Sequence, residues 1–342
     1  MNAPAHDVPD VQYSTSQLKV IQYVGLQPGV RLIVLGAVHG NETCGTRAIE
    51  RITREIDAGE LTIVRGSVSF VPVTNPLAYS RGHRAGDRNL NRNLRVTATP
   101  QDFEDHIANR LCPLLDAHDV LLDLHSFHTA SEAFAMLGPQ DNDGPLEPFA
   151  RATQEEAFAL RLGVRRIVEG WLDTYARGVA HRVARAEAAG TNIDSARQQQ
   201  LNTDPAYGVG TTEYMRSRGG CAITLECGQH EDPAAPDLAW RAIRNTLAHF
   251  RLIDAPDPAP VAQPEVLRLH DVIDRLHPGD TLAREWRSFD KVAAGERIGT
   301  RHDGTPVLAE EAGYVVFPNP GALAGQEWFY LARGSGRFGE RA

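Results

Sequence analysis

The sequence predicts an α/β protein, built on a central sheet with helices on both faces and followed by a small C-terminal β module. Three observations carry that prediction. Nearly unbroken apolar runs, such as 31–38 (RLIVLGAV) and 119–126 (DVLLDLHS), read as strands covered on both sides. Between them, apolar residues recur at helical spacing over 46–56, 102–117 and 237–253. Beyond 254–264 (DAPDPAPVAQP) the texture changes to short alternating runs split by HPGD, AAGER, RHDGT, EEAGY and FPNPG, the pattern of antiparallel strands joined by turns.

Length and composition bound the function. With 342 residues, 42 % hydrophobic and 23 % charged, the chain can bury a large core as two domains or as one with an appendage. A formal charge of -9 argues against nucleic acid as the main partner, because phosphate binding needs clustered positive charge. The first residues, MNAPAHDVPDVQ, have no basic or apolar segment, so 1–16 reads as a disordered tail rather than a signal peptide. No run approaches the roughly 18 to 20 apolar residues of a membrane helix, so no membrane-spanning helix is expected. Cys44, Cys112, Cys221 and Cys227 show no C-x-x-C spacing, so reduced thiols and a cytoplasmic location are expected.

In chain order, LKVIQYV at 18–24 alternates as a strand with one solvated face, and 31–38 is a central strand. A helix follows at 46–56, then a strand at 67–73 (SVSFVPV) ending at Asn75-Pro76. The stretch 77–94, with arginines at 81, 84, 88 and 92, reads as a loop. Residues 102–117 form a helix that Pro113 is expected to kink or end early. Strands are expected at 119–126, 133–137, 165–168 and 222–227, and helices at 155–162 and 237–253. The Ala-, Arg- and Gln-rich stretch 184–210 reads as an insertion lying over the sheet. The resulting division is a main domain at 17–253, a Pro-rich linker at 254–264 and a C-terminal β domain at 265–342.

Chemistry-bearing residues gather at strand ends. His39 and Glu42 form the one H-x-x-E in the chain, and with 13 His roughly one is expected by chance, so position gives it weight. It follows LIVLG directly, where an open α/β sheet places ligands. His125, at the end of DVLLDLHS, can add a third ligand, and two His with one Glu is the open, catalytic type of zinc site. His128 reads as lining the pocket rather than ligating. Glu226 sits inside the apolar strand AITLEC, where an ionised, unpaired carboxylate costs several kcal/mol, so it needs a partner or a function. A carboxylate facing an activated water is such a function.

Together His39-x-x-Glu42, Arg84, Asn91-Arg92, His125 and Glu226 resemble the succinylglutamate desuccinylase and aspartoacylase family. There the H-G-N-E loop supplies two zinc ligands and a D-L-H strand end the third, matched here by HGNET and Asp123-Leu124-His125. The family loop from Asn-Pro to L-N-R, with an Arg eight residues before its last Arg, is kept from Asn75-Pro76 through Arg84 to Leu90-Asn91-Arg92. Its catalytic Glu, in a strand followed by Gly, matches Glu226, and Arg216 stands ten residues ahead of it as a further substrate-binding Arg. The resemblance implies a mixed central sheet with helices on both faces, a zinc-carboxypeptidase-like fold whose C-terminal β module covers the active site.

It also implies one Zn2+ per chain on His39, Glu42 and His125, with Glu226 as general base and Arg84 facing the oxyanion. Asn91 and Arg92 would clamp a substrate carboxylate, Arg216 a second acidic group, and Asp123 would orient a ligand imidazole. The family's C-terminal substrate tyrosine falls at Leu323 by ungapped count, which puts N-acetyl-aspartate itself in doubt. Arg81 and Arg88 are additional to the motif and read as surface charge. The expected activity is zinc-dependent hydrolysis of the amide of a small anionic N-acyl amino acid or related amine. A metallocarboxypeptidase or a catalytically silent binding protein remain as alternatives, and a homo-oligomer is left open. Lys291, the one Lys of the C-terminal module, lacks the flanks of a swinging-arm attachment site, so a covering role is preferred.

Overall fold

The computed structural model describes residues 12–339 other than 189 and 191–202. Its core is a parallel quartet of strands: β1 (Ile21–Val24) pairs antiparallel with β3 (Arg65–Val71), which lies beside β2 (Gln27–Leu35), then β4 (Val120–Phe127) and β7 (Cys221–Gln229). β3, β2, β4 and β7 run parallel to one another. Alternation along β2 explains why helices sit on both faces. Leu32 and Val34 pack with Ile49 and Ile52 of α1 (Cys44–Asp57) and with Ile243 and Leu247 of α7 (Ala235–His249). Ile33 and Leu35 turn to the other face, against Ile107, Leu111 and Leu115 of α3 (Phe103–Asp116) and Met215 of α6 (Thr211–Ser217). The mixed α/β class is as expected.

Beyond β7 the sheet continues through β5 (Phe134–Met136), antiparallel to β7, and β6 (Arg166–Glu169), parallel to β5. β6 then pairs in parallel with β8 (Glu265–Asp274), so the sheet crosses the Pro-rich segment 254–264 without a break. Beyond β8 come β14 (Glu327–Gly334), β13 (Gly313–Val316) and β10 (Asp290–Val292), all antiparallel, giving eleven strands among the described residues. A separate sheet of β9 (Thr281–Leu282), β11 (Arg297–Thr300) and β12 (Pro306–Leu308) folds over Trp286, Ile298, Trp328 and Phe329. A third apolar cluster, including Phe127, Phe134, Leu267, Val316 and Tyr330, joins the two halves.

Several elements differ from the sequence reading. Within the expected loop 77–94, α2 (Pro76–Arg81) forms because Asn75 accepts the amide of Ala78 and Pro76 opens the first turn. Pro113 lies inside α3, which runs on to Asp116; the missing amide leaves one carbonyl of the preceding turn unpaid in the helix ladder without ending it. Residues 184–188, assigned to an insertion, are the last turn of α5 (Trp171–Ala188), whose Leu172, Tyr175 and Val179 are buried. The rest of that expected insertion lies partly outside the described residues, as does most of the expected tail; 205–208 is a single 3-10 turn. α4 (Ala152–Ala159) begins earlier than expected. The four cysteines are buried free thiols.

The turn after β8 is held by Asp280, which accepts the amides of Leu276 (2.8 Å), His277 (3.2 Å) and His302 (2.9 Å) and Nη1 of Arg301 (2.9 Å). Burial alone would raise its carboxyl, but these donors outweigh it and hold it down at about 2. A depressed folded pKa gives stability that is present above the unfolded value of about 3.9 and lost as pH falls through the folded one. Asp280→Asn is expected to cost about 2 kcal/mol at pH 7. Urea denaturation across pH should show that gap narrowing between about pH 4 and pH 2.

Candidate metal centre and active-site cavity

The site is assembled at the carboxyl ends of β2, β4 and β7. β2 ends at Leu35 beside Asp123, and the chain then turns through Gly36–Gly40. That turn must pass against α2: a Cβ on Gly40 would lie 2.0 Å from the carbonyl carbon of Ala78, so only glycine fits there. The amide of Glu42 bonds the carbonyl of His39 at 3.1 Å, folding His39 and Glu42 into one short loop. On the sheet itself His125 and Glu226 are direct register partners of β4 and β7, so they share one face, and Asp123, two residues back, shares it too.

Glu42 lies between the two histidines, almost wholly buried. His39 Nδ1 is 2.9 Å from Oε1, and His125 Nδ1 is 2.8 Å from Oε2. The far side of each ring is also fixed. Asn89 Oδ1 lies 3.0 Å from His39 Nε2 and Asp123 Oδ2 lies 2.9 Å from His125 Nε2. Asn89 Oδ1 is an acceptor, so His39 Nε2 carries a hydrogen toward it; Asp123 stands at ion-pair distance from His125 Nε2, and each Nδ1 faces Glu42. Among the described residues, His39, Glu42 and His125 are the one group of three or more such side chains placed to hold a metal ion, with ligand atoms within 4.8 Å of one another. The fit to a cation rests on this donor chemistry and on His39 Nδ1, a buried nitrogen that is close to Glu42 Oε1 but makes no hydrogen bond.

The charges respond to that packing. Burial, then the nearby Arg84, lowers His39 to about 4, against the pull of Glu42. Burial also opposes the charge of His125, yet Asp123 and Glu42 outweigh it and raise it well above the usual value. Burial would raise Glu42 as well, but His39 and His125 hold it well below the carboxylate range. Glu226 goes the other way: burial, then repulsion from Glu42, pushes it up to about 8, and its Oε2 is buried without a partner. The sequence argument that a strand-embedded Glu needs a function therefore meets an unsatisfied carboxyl beside the donor cluster.

The cavity in front of this cluster has a volume of about 810 Å³. Arg84, Asn91, Arg92 and Arg216 all line it, so every sequence-predicted site residue except the deeply seated Glu42 and Asp123 reaches its wall. They are not equivalent. Arg84 donates Nη1 to Glu42 Oε1 at 2.8 Å while half of its side chain stays exposed. Asn91 uses Oδ1 to accept the amide of Thr211 at 2.8 Å, capping α6, and Thr211 Oγ1 in turn bonds Asp123. Arg92 lies on the face of Trp171 at 4.8 Å, with Nη1 on the carbonyl of Asn91 at 2.7 Å and no described carboxylate within ion-pair distance. Arg216 is committed elsewhere. It is buried, with Nε 3.0 Å from Glu155, Nη1 2.9 Å from Glu147 and Nη2 2.8 Å from the carbonyl of Ala222.

Several residues of the site were not singled out from sequence. Asn89 fixes His39 and was hidden among four similar residues of the run RNLNRN. His230, four residues past Glu226, lies 2.9 Å from Ser126 Oγ, and the ring of His128 stands 6.2 Å from it on the same wall. Trp171 and Tyr330 are visible only once α5 and β14 are placed. Leu323, the position reached by ungapped count, is 68 % exposed, whereas Tyr330 on β14 is the C-terminal tyrosine lining the cavity. Arg88 is a correction as well. Rather than surface charge it pairs with Asp102 and Asp105 at 2.9 Å each and donates to the carbonyls of Asn89 and Arg92.

A family described as the succinylglutamate desuccinylase/aspartoacylase catalytic domain matches residues 28–253. The chain is 38 % identical over 113 residues to an N-acyl-aromatic-L-amino acid amidohydrolase (carboxylate-forming) of Rattus norvegicus, across 29 % of this chain and 34 % of that protein. It thus covers about a third of the length of that relative. It is 25 % identical over 306 residues to a succinylglutamate desuccinylase of Pseudomonas paraeruginosa, across 85 % of this chain and 80 % of that one. A solved succinylglutamate desuccinylase/aspartoacylase structure from Rhodobacter sphaeroides shares the fold, with a TM-score of 0.67 at 18 % identity over 93 % of this chain and 90 % of that chain.

The loop that carries Arg84, Asn89, Asn91 and Arg92 hangs on one buried carboxylate. Glu104 of α3 accepts the amides of Gly86, Asp87 and Arg88 and Nδ2 of Asn75, all between 2.8 and 3.1 Å. Glu104→Ala leaves those donors without partners, at an expected cost of about 3 kcal/mol in chemical denaturation. Amide exchange at 86–88 should quicken with it; unchanged exchange would mean the loop is held by something else.

Proposed function

The chain belongs to the succinylglutamate desuccinylase/aspartoacylase family, and on that premise we propose that it is a zinc-dependent deacylase. It would hydrolyse the amide of a small N-acyl amino acid or related N-acyl amine, releasing a carboxylate and an amine. The observation that carries this reading is the buried His39, Glu42 and His125 cluster with the unpartnered carboxyl of Glu226 beside it. Zinc on those three residues would supply the Lewis acidity that polarises an amide carbonyl and lowers the pKa of a water.

The chain's own groups do the rest. Glu226, raised by burial and by the charge of Glu42, would ionise once a cation offsets that charge; its free oxygen then takes a proton from the attacking water and returns it to the departing nitrogen. Arg84 reaches the cluster from a half-exposed position, where it can swing a donor from Glu42 to the oxyanion. Arg92, stacked on Trp171 and free of carboxylates, presents a planar fork to the carboxylate of the substrate. Asn91 holds that segment to α6. Arg216, already neutralised by Glu155 and Glu147, serves the wall rather than a second acidic group.

The wall next to Arg92 favours a large apolar or aromatic amino-acid side chain, because Trp171, Phe127, Met136, Phe317 and Tyr330 line it. Segment 317–321 of the C-terminal half also lines the cavity, which leaves less room for a peptide chain and weighs against the carboxypeptidase alternative.

The test is amine release from N-acetyl, N-formyl and N-succinyl amino acids, with acidic and aromatic side chains, and from short peptides, with and without chelator and added zinc. Chelator-sensitive turnover of an N-acyl amino acid is expected; turnover of peptides alone would replace this reading with a carboxypeptidase. On the best substrate Glu226→Gln should lower kcat by at least about 100-fold with metal still bound. Arg92→Ala should raise KM tenfold or more, on the order of the 1.5 to 3 kcal/mol of a charge-assisted bond, with a smaller change in kcat.

A further inference from the structure

We propose that Arg337, almost at the C-terminus, is a positioning residue for the substrate cavity: its guanidinium clamps the Gly138-Pro139 wall. After β14 the chain runs back along the start of β8, where the amide of Ser335 bonds the carbonyl of Val266 at 2.9 Å. Arg337 then enters the interior, with its side chain 1 % exposed. Nε donates to Glu156 of α4 at 2.9 Å and Nη1 to Glu169, the last residue of β6, at 2.7 Å. The remaining donors go to backbone: Nη1 to the carbonyl of Gly138 at 2.5 Å and Nη2 to that of Pro139 at 3.0 Å. Ser335 Oγ completes the strap, donating to Glu169 at 2.6 Å and accepting the amide of Arg337 at 3.2 Å.

The clamped segment matters because Gly138 and Pro139 line the cavity. Its opposite side is fixed too. The amide of Gly138 bonds Glu155 Oε1 at 2.7 Å, and that carboxylate holds Arg216. There is no slack between them, since a Cβ on Gly138 would lie 2.2 Å from Nε of Arg216. Arg337 and Glu155 thus grip one short segment from both faces and set how far it stands from the donor cluster. The grip needs a guanidinium. Two carboxylates and two successive carbonyls call for a planar fork with several donors, which a lysine ammonium cannot reproduce at once. The last described residues therefore shape a wall formed almost 200 positions earlier.

Arg337→Lys is the discriminating variant, because it keeps the charge beside Glu156 and Glu169 and gives up the forked bonds. This proposal rests on the deacylase reading only for its kinetic arm. With the best N-acyl amino acid as substrate, and assayed well below the variant's own melting temperature, Arg337→Lys should raise KM about fivefold to tenfold and leave kcat within about twofold. Amide exchange at Gly138 and Gln140 should quicken, whereas Arg301→Lys, in the Asp280 turn, should alter neither. Arg337→Ala should show the larger change in both, if it folds. A wild-type KM for Arg337→Lys overturns the proposal whatever the exchange shows. If the wild-type protein turns over no member of the panel, the deacylase reading fails by itself and exchange alone decides: faster exchange at 138–140 in Arg337→Lys supports the clamp, and unchanged exchange removes it.

Discussion

The structure depends first on how the charge of Glu42 is held. A carboxylate that is 1 % exposed costs several kcal/mol unless partners surround it. Here they come from three directions: His39 in its own loop, His125 from β4 with the amide of Ser126 at 3.2 Å, and Arg84 from the loop past α2. Each partner is pinned in turn, His39 by Asn89, His125 by Asp123, and the Arg84 loop by Glu104. Removing any of these leaves a buried charge short of a partner, so the constraint reaches well beyond the residues in contact with Glu42. Burial and then the same negative charge keep Glu226 from ionising readily, which ties that carboxyl to the cluster electrostatically as well as by strand register.

The sheet supplies the geometry. Parallel strands with helices on both faces put several strand ends on one edge, and β2, β4 and β7 deliver the chemistry there. The C-terminal half is joined to that frame by backbone pairing rather than by side-chain contacts alone, since β8 lies in parallel beside β6. That pairing carries Tyr330 and segment 317–321 to the cavity and returns Arg337 to the wall beyond β5. The Pro-rich segment is a change of texture in the sequence and not a gap in the sheet.

What was legible in the sequence follows the range of the forces involved. Apolar periodicity is local, so the central strands and α1, α3 and α7 could be placed to within a few residues. That His39, Glu42 and His125 come together was legible because they sit at strand ends in short motifs. α5 was missed because its sequence is rich in Ala and Arg and because its buried face mixes Leu172, Tyr175 and Val179 with Arg182, whose partner Asp274 on β8 is 92 residues away. α2 was missed because four arginines masked an Asn-Pro start. The destinations of Arg88, Arg92 and Arg216 could not be read at all. Each differs only in which carboxylate or ring the fold brings near, and sequence spacing carries no such information.

The most direct test of the central claim is an anomalous diffraction map, collected at the zinc absorption edge on crystals grown with zinc. One peak per chain, in contact with His39, Glu42 and His125 and lost in Glu42→Gln, is the result this account predicts. Ordered His39, Glu42 and His125 with no peak between them at saturating zinc, or a peak held by other residues, would contradict it.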